Sequence, residues 1–485
     1  MAIIKSAFEK RPIGEGETPQ SFFEHVRRKH AFLLESSRGV ARPGPGRSDG
    51  EHVANGEGAV VGRYSFLGWD PFMVVSCEKG VVHMDNLKDF ADFKKSAVRQ
   101  MVDGEPMKVL RDIFSRLRFM GDFPFPFCGG SAGFLSYDYG CAFNGVNQKV
   151  FDDLELPDFC LLFTDKLVAF DHENSDVYFA GFAETETAAK RKIDEIGVDL
   201  ERAPSIRGKG EIGRIESNLS AKSYREKIAK VKEYLAEGQT YQVNFSQRFS
   251  AECTFDGWSV YKNLSVKSPA PFSCYFDMGD YEIISSSPEL LLRKRNEKLE
   301  TWPIKGTIGR GGTAREDSRN EKRLLASEKD EAELSMIVDL SRNDLGKVSE
   351  PGSVVVDGHR EIMKLSHVIH TYSRVSGKMA RGKDLFDAIG AVFPGGSITG
   401  CPKKRTMEII DRLEDFKRGV YTGSAGYISF AGDCDLNILI RTMLLKDGKI
   451  HFQAGGGIVI DSDAKGEYEE TMDKVRAIIE SLSKD

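Results

Sequence analysis

The sequence predicts an α+β fold of mostly antiparallel strands with packed helices, and three observations carry that prediction. Short β-branched or aromatic runs bounded by Gly, Asp or Asn fill the first 180 residues. From Ser220 onward, apolar residues recur at helical spacing between further strand-like runs. No repeat or low-complexity tract interrupts the 485 residues. A chain of this size buries a large core without disulfides or metals.

The N-terminal strands are expected at FLLESS, GRYSFLGW, FMVVSC, GVVHMD, GGSAGFLSYDYG and SDVYFAGF. Residues 39–61, rich in Gly, Pro and charge, are expected to form an exposed loop. Residues 184–200 suit a polar surface helix, and 201–217 a linker. The expected division is a β-rich N-terminal portion, 1–200, and a catalytic portion, 220–485. Tyr224, Ile228, Val231 and Leu235 mark a helix that stops at Gly238. YQVNFSQRFSAEC and YEIISSS read as strands, and residues 316–345 as one long charged helix. FDAIGAVFPGG and PKKRTMEIIDRLED read as helices, with Pro402 suited to the first turn of the second. SAGYISF, LNILIRTMLL and KIHFQAGGGIVI read as strands, and EYEETMDKVRAIIESL as a final helix.

Composition narrows the function. Lys plus Arg total 68 and Asp plus Glu total 74, a net charge of −6 with no basic stripe for phosphate neutralisation. The eight cysteines are scattered without CxxC spacing, which suits reduced thiols in a cytoplasmic protein. No run of about 18 apolar residues suggests a membrane span, and the N-terminus does not read as a signal peptide.

Several clusters could carry chemistry. Asp330 and Glu333 lie three apart, as do Glu467 and Glu470, so each pair shares a helix face. If the faces meet, four oxygen donors suit Mg²⁺ with retained waters; otherwise they are two solvated faces. Gly395, Gly396 and Ser397 precede a helix, and Gly455, Gly456 and Gly457 follow a strand. Such glycines let backbone N–H groups approach an anion, or simply make tight turns. Arg441 and Asn437 interrupt an apolar strand, where Arg441 suits either a carboxylate ligand or a structural ion pair. His370 suits an acid, a base or a satisfied core histidine. Lys305, in TWPIKGT, is a nucleophile if desolvated and an ordinary turn lysine if solvated.

Together these stretches resemble the chorismate-utilising enzymes, the group that holds anthranilate, aminodeoxychorismate, isochorismate and salicylate synthases. YQVNFSQRF, SSSPELLL, PIKGT, EKDEAELSMIVDLSRNDLGKVSEPGSV, SHVIHTYSRVSG, FPGGSITGCPKKRTMEIIDRLE, GSAGYISF, IRTM, AGGGIV and EYEETMDKV follow the family's order. FLLESS and RYSFLGWDPF resemble its amino-transferring branch. The resemblance implies a large two-sheet antiparallel sandwich with helices packed around it, like anthranilate synthase component I. It implies Mg²⁺ on Glu333 and Glu470, with Asp330 and Glu467 in support. Arg441, Tyr421, Lys474 and the Gly456–Gly457 backbone would hold a substrate carboxylate. Gly306, Thr307, Ser397 and His370 would line the ring pocket. Asp330 departs from the Glu that many anthranilate synthases carry, and its shorter side chain favours a water-bridged role.

The branch follows from local differences. Isochorismate and salicylate synthases place a water-activating lysine where this chain has Gln242, so ammonia is the expected nucleophile. PIKGT, YQVN and GGSITG are similar to aminodeoxychorismate synthases, where anthranilate synthases tend towards PIAGT, FQVV and AGTVSG. The implied reaction aminates chorismate at C4, with Lys305 attacking C2 and Glu289 protonating the departing hydroxyl. The alternative is anthranilate formation, with His370 assisting pyruvate elimination. A third reading is a catalytically silent, amino-acid-binding regulatory homologue. No Cys–His–Glu glutaminase module is recognisable, so a separate glutamine amidotransferase subunit is expected to supply ammonia. Leu34, Glu35, Ser36, Arg63, Tyr64 and Ser65 resemble a tryptophan pocket.

Overall fold

The computed structural model describes residues 1–36, 62–204, 210–365 and 368–482. The expected loop at 39–61 therefore lies wholly outside the described residues, as does 205–209 of the expected linker. The site rests on strands β1 (Ala31–Glu35), β2 (Tyr64–Gly68), β3 (Gly130–Leu135), β4 (Gln242–Glu252), β5 (Phe272–Asp277), β6 (Tyr281–Ser287), β7 (Ile304–Gly309), β8 (Val368–Lys378), β9 (Ser424–Ser429), β10 (Cys434–Asn437), β11 (Thr442–Lys446) and β12 (Lys449–Ile458). Helices α1 (Ala314–Leu325), α2 (Glu328–Gly346), α3 (Leu385–Val392), α4 (Lys403–Leu413) and α5 (Ala464–Leu482) complete it.

The architecture is α+β, with sheets of 13 and 12 strands among the described residues. In the first sheet the order β4-β12-β11-β6-β5-β1-β2 runs from C-terminal into N-terminal strands. In the second, β7-β8 lead through two further strands to β10-β9-β3 and then other N-terminal strands. Both portions of the chain therefore share both sheets, joined at β5–β1 and at β9–β3. Among the described residues strand pairing is antiparallel except where Ala2–Pro12 meets Leu117–Phe119, with one isolated parallel bridge between Phe151 and Phe416. The core lies between the sheets: Phe66 of the first meets Tyr427 of the second edge to face at 5.5 Å between ring centroids. All eight cysteines are free thiols. No described helix is long and apolar enough to cross a membrane.

Four local expectations need correction. Residues 316–345 form two helices, because the Ser327 side chain accepts the Asp330 N–H at 3.2 Å and caps a new start. LNILIRTMLL is two strands, β10 and β11, in different sheets. Arg441 at φ +52° breaks it, a left-handed conformation uncommon outside glycine. Gly455, Gly456 and Gly457 lie inside β12 rather than after a strand, paired with Ser246, Phe245 and Asn244 of β4. GGSAGFLSYDYG ends in a helix, Tyr137–Phe143, capped by Ser136. The sequence reading also passed over the first strand, Ala2–Pro12, whose outer residues are mostly polar.

Candidate active site

Two of the places where the chain passes from one sheet to the other lie side by side. After β6, Ser287–Glu289 leads into a strand of the second sheet, and Ile438–Arg441 leads back from β10 to β11. The Ile438 N–H donates to the Glu289 carbonyl at 3.0 Å, and Ser287 Oγ donates to the Ile438 carbonyl at 2.5 Å. Glu289 and Arg441 are thus fixed by backbone where the sheets meet.

Glu289 is buried, and desolvation pushes its carboxyl up to about 7. The Ser397 hydroxyl, the charge of Lys305 and the Ile304 N–H pull the other way. It is therefore substantially protonated at neutral pH and able to donate. Lys305, half-buried on β7, has a lowered proton affinity, because desolvation disfavours the ammonium more than Glu333 restores it.

Lys305 does not sit alone. A Cβ on Gly457 would stand 3.0 Å from Lys305 Nζ and 2.9 Å from Gln242 Nε2. Lysine and carboxamide thus converge on β12 at Gly457, where an added side chain would force one of them to shift. Gln242 is fully buried, and neither its Nε2 nor its Oε1 has a hydrogen-bond partner. A buried carboxamide without partners is costly unless a ligand completes it.

Beside them, His370 Nδ1 pairs with Thr307 Oγ1 at 2.8 Å, and Arg441 Nη2 approaches His370 Nε2 at 3.1 Å. A guanidinium only donates, so Nε2 accepts and the ring proton sits on Nδ1. Burial, and then the charge of Arg441, push the imidazole down to about 3 and keep it neutral. Arg441 is itself lowered to about 10 by desolvation.

The acidic pairs sit on α2 and α5. Lys329 Nζ lies 3.8 Å from Glu333, and its charge also acts on Glu467 and Glu470, so the start of α2 faces α5. Lys305 feels both Glu333 and Glu470. Glu470 takes Lys474 Nζ at 2.6 Å, and Lys474 also donates to the Gly455 carbonyl at 2.9 Å. Glu467 is buried and accepts from Ser462 at 2.6 Å; desolvation and the neighbouring Glu470 raise its carboxyl. A Cβ on Gly456 would stand 2.8 Å from Glu467 Oε2, so β12 runs directly against α5. Gly306, at φ +79°, packs on Asp330, whose Cβ and Cγ would lie 3.2 Å from an added Cβ.

Tyr421 is buried, which pushes its hydroxyl up to about 12. Beneath it lies a group that sequence reasoning missed. Arg418, 2% exposed, binds Glu414 at 2.7 and 2.8 Å, the Asn244 carbonyl at 2.6 Å and the Ile398 carbonyl at 3.0 Å. It ties β4 to the Ser397 turn and to the helix end after α4. Glu and Arg four apart were visible in the sequence, but that spacing ordinarily marks a solvated pair.

The six residues expected to form a tryptophan pocket lie on or beside β1 and β2. The Ser36 N–H donates to Ser65 Oγ at 3.0 Å, and Glu35 accepts from Tyr261 at 2.7 Å. Leu34 pairs with Phe66 across the two strands. Arg63 turns to Asp171 at 2.9 Å and covers the Tyr64 ring.

Comparison with known proteins converges on one group. A family profile described as chorismate binding enzyme matches residues 60–480. Aminodeoxychorismate synthase component 1 of Bacillus subtilis (strain 168) is 36% identical over 99% of this chain and 98% of its own. Anthranilate synthase component 1 of Acetivibrio thermocellus is 35% identical over 96% and 93%. The crystal structure of anthranilate synthase component I from Streptococcus pneumoniae TIGR4 superposes with a TM-score of 0.77 at 31% identity. It covers 89% of this chain and 95% of that one.

Proposed function

The chain belongs to the chorismate-binding enzymes, and from that premise we propose that it aminates chorismate at C4 to give 4-amino-4-deoxychorismate. The observation that carries this reading is the meeting of Lys305, of lowered proton affinity, with the partnerless Gln242 at Gly457. A glutamine there cannot deprotonate water, so the nucleophile must arrive already competent, as ammonia is.

Neutral Lys305 Nζ attacks C2, the ring double bonds shift, and the C4–O bond breaks. Glu289 gives its proton to the departing hydroxyl, which leaves as water. Ammonia then forms the C4–N bond while the C2–N bond breaks and Lys305 departs as the neutral amine. The extra proton on the new C4 nitrogen returns to Glu289, which restores both groups. His370, held neutral by burial and then by Arg441, and Thr307 bound the ring; Arg441, Tyr421, Lys474 and the Gly456–Gly457 backbone face the second carboxylate.

Among the described residues, no three acidic, His or Cys groups close into a preformed metal cage. Mg²⁺ needs none, since it takes one or two carboxylates and keeps its waters. The acidic groups of α2 and α5, now balanced by Lys329 and Lys474, are of that kind. Glu333 and Glu470 would hold the ion, with Asp330 and Glu467 behind them. Once bound, it would offset the charge of one substrate carboxylate. Glu470→Ala raises the Mg²⁺ concentration for half-maximal activity at least tenfold; an unchanged Mg²⁺ titration refutes the assignment.

Ammonia would come from a glutamine amidotransferase subunit, as the "component 1" relatives suggest. Leu34, Glu35, Ser36, Arg63, Tyr64 and Ser65 are proposed to take an amino acid such as tryptophan. Near-equal identity to anthranilate synthases favours one alternative, anthranilate formation. Incubation with chorismate, Mg²⁺ and an ammonium salt separates the two. The expected product becomes p-aminobenzoate only after a lyase is added; fluorescent anthranilate without a lyase overturns the reading.

A further inference from the structure

One side chain holds the break between α1 and α2 from outside. Arg360, 13% exposed, lies on the strand Val355–Lys364, which pairs antiparallel with β8. Its Nη2 donates to the carbonyls of Leu325 at 2.7 Å, Leu324 at 3.3 Å and Ser327 at 3.4 Å. Its Nη1 takes the Glu331 carboxylate at 2.6 Å. Leu324 and Leu325 end α1, where carbonyls form the negative pole of the helix. Ser327 caps α2, and Glu331 lies in its first turn. The guanidinium therefore spans the whole junction.

The Arg360 backbone is set for this task. Its ladder with β8 shifts register between Gly358 and Glu361, and Arg360 stands in the left-handed region at φ +54°. A non-glycine residue holds that conformation only where its surroundings over-determine it. Here they are the four contacts to the junction and a donation from the Arg360 N–H to Ser373 Oγ at 3.3 Å.

Asp330 and Glu333 follow directly. At 3.6 residues per turn, Glu331 lies about 100° from Asp330 and about 160° from Glu333 around α2. Arg360 thus grips a flank away from those two carboxylates and touches no group placed at the reaction. Its strand sets Met363 opposite His370 on β8, and β8 pairs with β7, which carries Lys305. Glu328, Asp330, Glu331 and Glu333 crowd the start of α2, and without the clamp their repulsion favours loosening it.

We propose that Arg360 is a positioning residue for the divalent cation, fixing the first turn of α2 so that Asp330 and Glu333 stand towards Glu467 and Glu470. The inference rests on the Mg²⁺ assignment to those four groups.

The test uses the full chain, with Mn²⁺ as the probe and its binding read from the electron paramagnetic resonance signal of the free ion. Mg²⁺ dependence of turnover is read with saturating chorismate and ammonium chloride. Arg360→Met is expected to weaken Mn²⁺ binding at least fivefold. The Mg²⁺ concentration for half-maximal activity should rise by a similar factor, while kcat at saturating Mg²⁺ stays within twofold. A merely structural loss would lower kcat through the folded fraction and leave the metal affinity of the folded protein alone. Arg374→Met is the control: Arg374, on β8, pairs with Glu361 at 2.9 Å, and its loss should leave Mn²⁺ binding as in the parent protein. Arg360→Lys keeps the charge but not the fork that spans carbonyls and carboxylate together. It should fall between, and it carries the test if the methionine variant does not fold. Mn²⁺ affinity unchanged in the folded Arg360 variant, or weakened equally in Arg374→Met, overturns the positioning role alone. A parent protein that binds no Mn²⁺ overturns the metal assignment and this inference with it.

Discussion

Lys305→Ala abolishes C4 amination, lowering turnover by about a thousandfold or more, the scale of losing a nucleophile that works as a unit with its acid. The expectation follows from position. Lys305 is short of proton affinity because its surroundings exclude water. Its Nζ would lie 3.0 Å from a Cβ placed on Gly457 of β12, and its charge acts on Glu289. Alanine there leaves the carboxylate-binding groups untouched, so chorismate affinity should change little while kcat collapses. Intact-mass measurement gives an independent readout. With chorismate and no nitrogen source, the parent protein should gain chorismate less one water, and the alanine variant nothing. Unchanged turnover in the variant removes Lys305 from the chemistry.

Turnover is expected to fall as pH rises through about 7, because Glu289 is the group proposed to donate a proton to the leaving hydroxyl. Its carboxyl is raised by burial to about 7, so the acid form is present below that pH and lost above it. Lys305 has the opposite requirement. It acts as the free amine, so acidification that protonates it also lowers the rate, and the profile is bell-shaped. Glu289→Gln keeps the shape of the side chain but has no proton to give. It should cost about 10²- to 10⁴-fold in kcat, and the residual rate should lose its decline above neutrality. A basic limb that survives in Glu289→Gln assigns that limb to another group.

Much of the fold was legible where one element carried its own signal. The helix Ala221–Ala236 showed its apolar stripe and its stop at Gly238, and the structure adds the Ser220 cap. Where two signals overlapped, the sequence misled. Ser327 followed by Asp330 is a capping pattern, but it sits inside an unbroken charged run, and only the cap hydrogen bond divides α1 from α2. LNILIRTMLL read as one strand interrupted by Asn437 and Arg441, with no sign that Arg441 takes a left-handed backbone and moves the chain between sheets. The site was legible as a set of residue types, and its assembly only through family resemblance. Glu289, Lys305, His370 and Arg441 are spread over some 150 residues, and no spacing rule brings them together. Arg418 was hidden for another reason, since burial reverses the ordinary meaning of an i, i+4 ion pair.

The two seams, β5 against β1 and β9 against β3, bear on how such a protein can be inherited or re-engineered. A recombination point near residue 210 would hand each parent's half a foreign partner strand in both sheets at once. Fragments cut there would each expose two raw edges inviting self-association. Successful chimaeras should therefore exchange helices or peripheral strands around the sandwich. Both seams make the two portions of the chain one structural unit, whatever the number of segments its primary structure suggests.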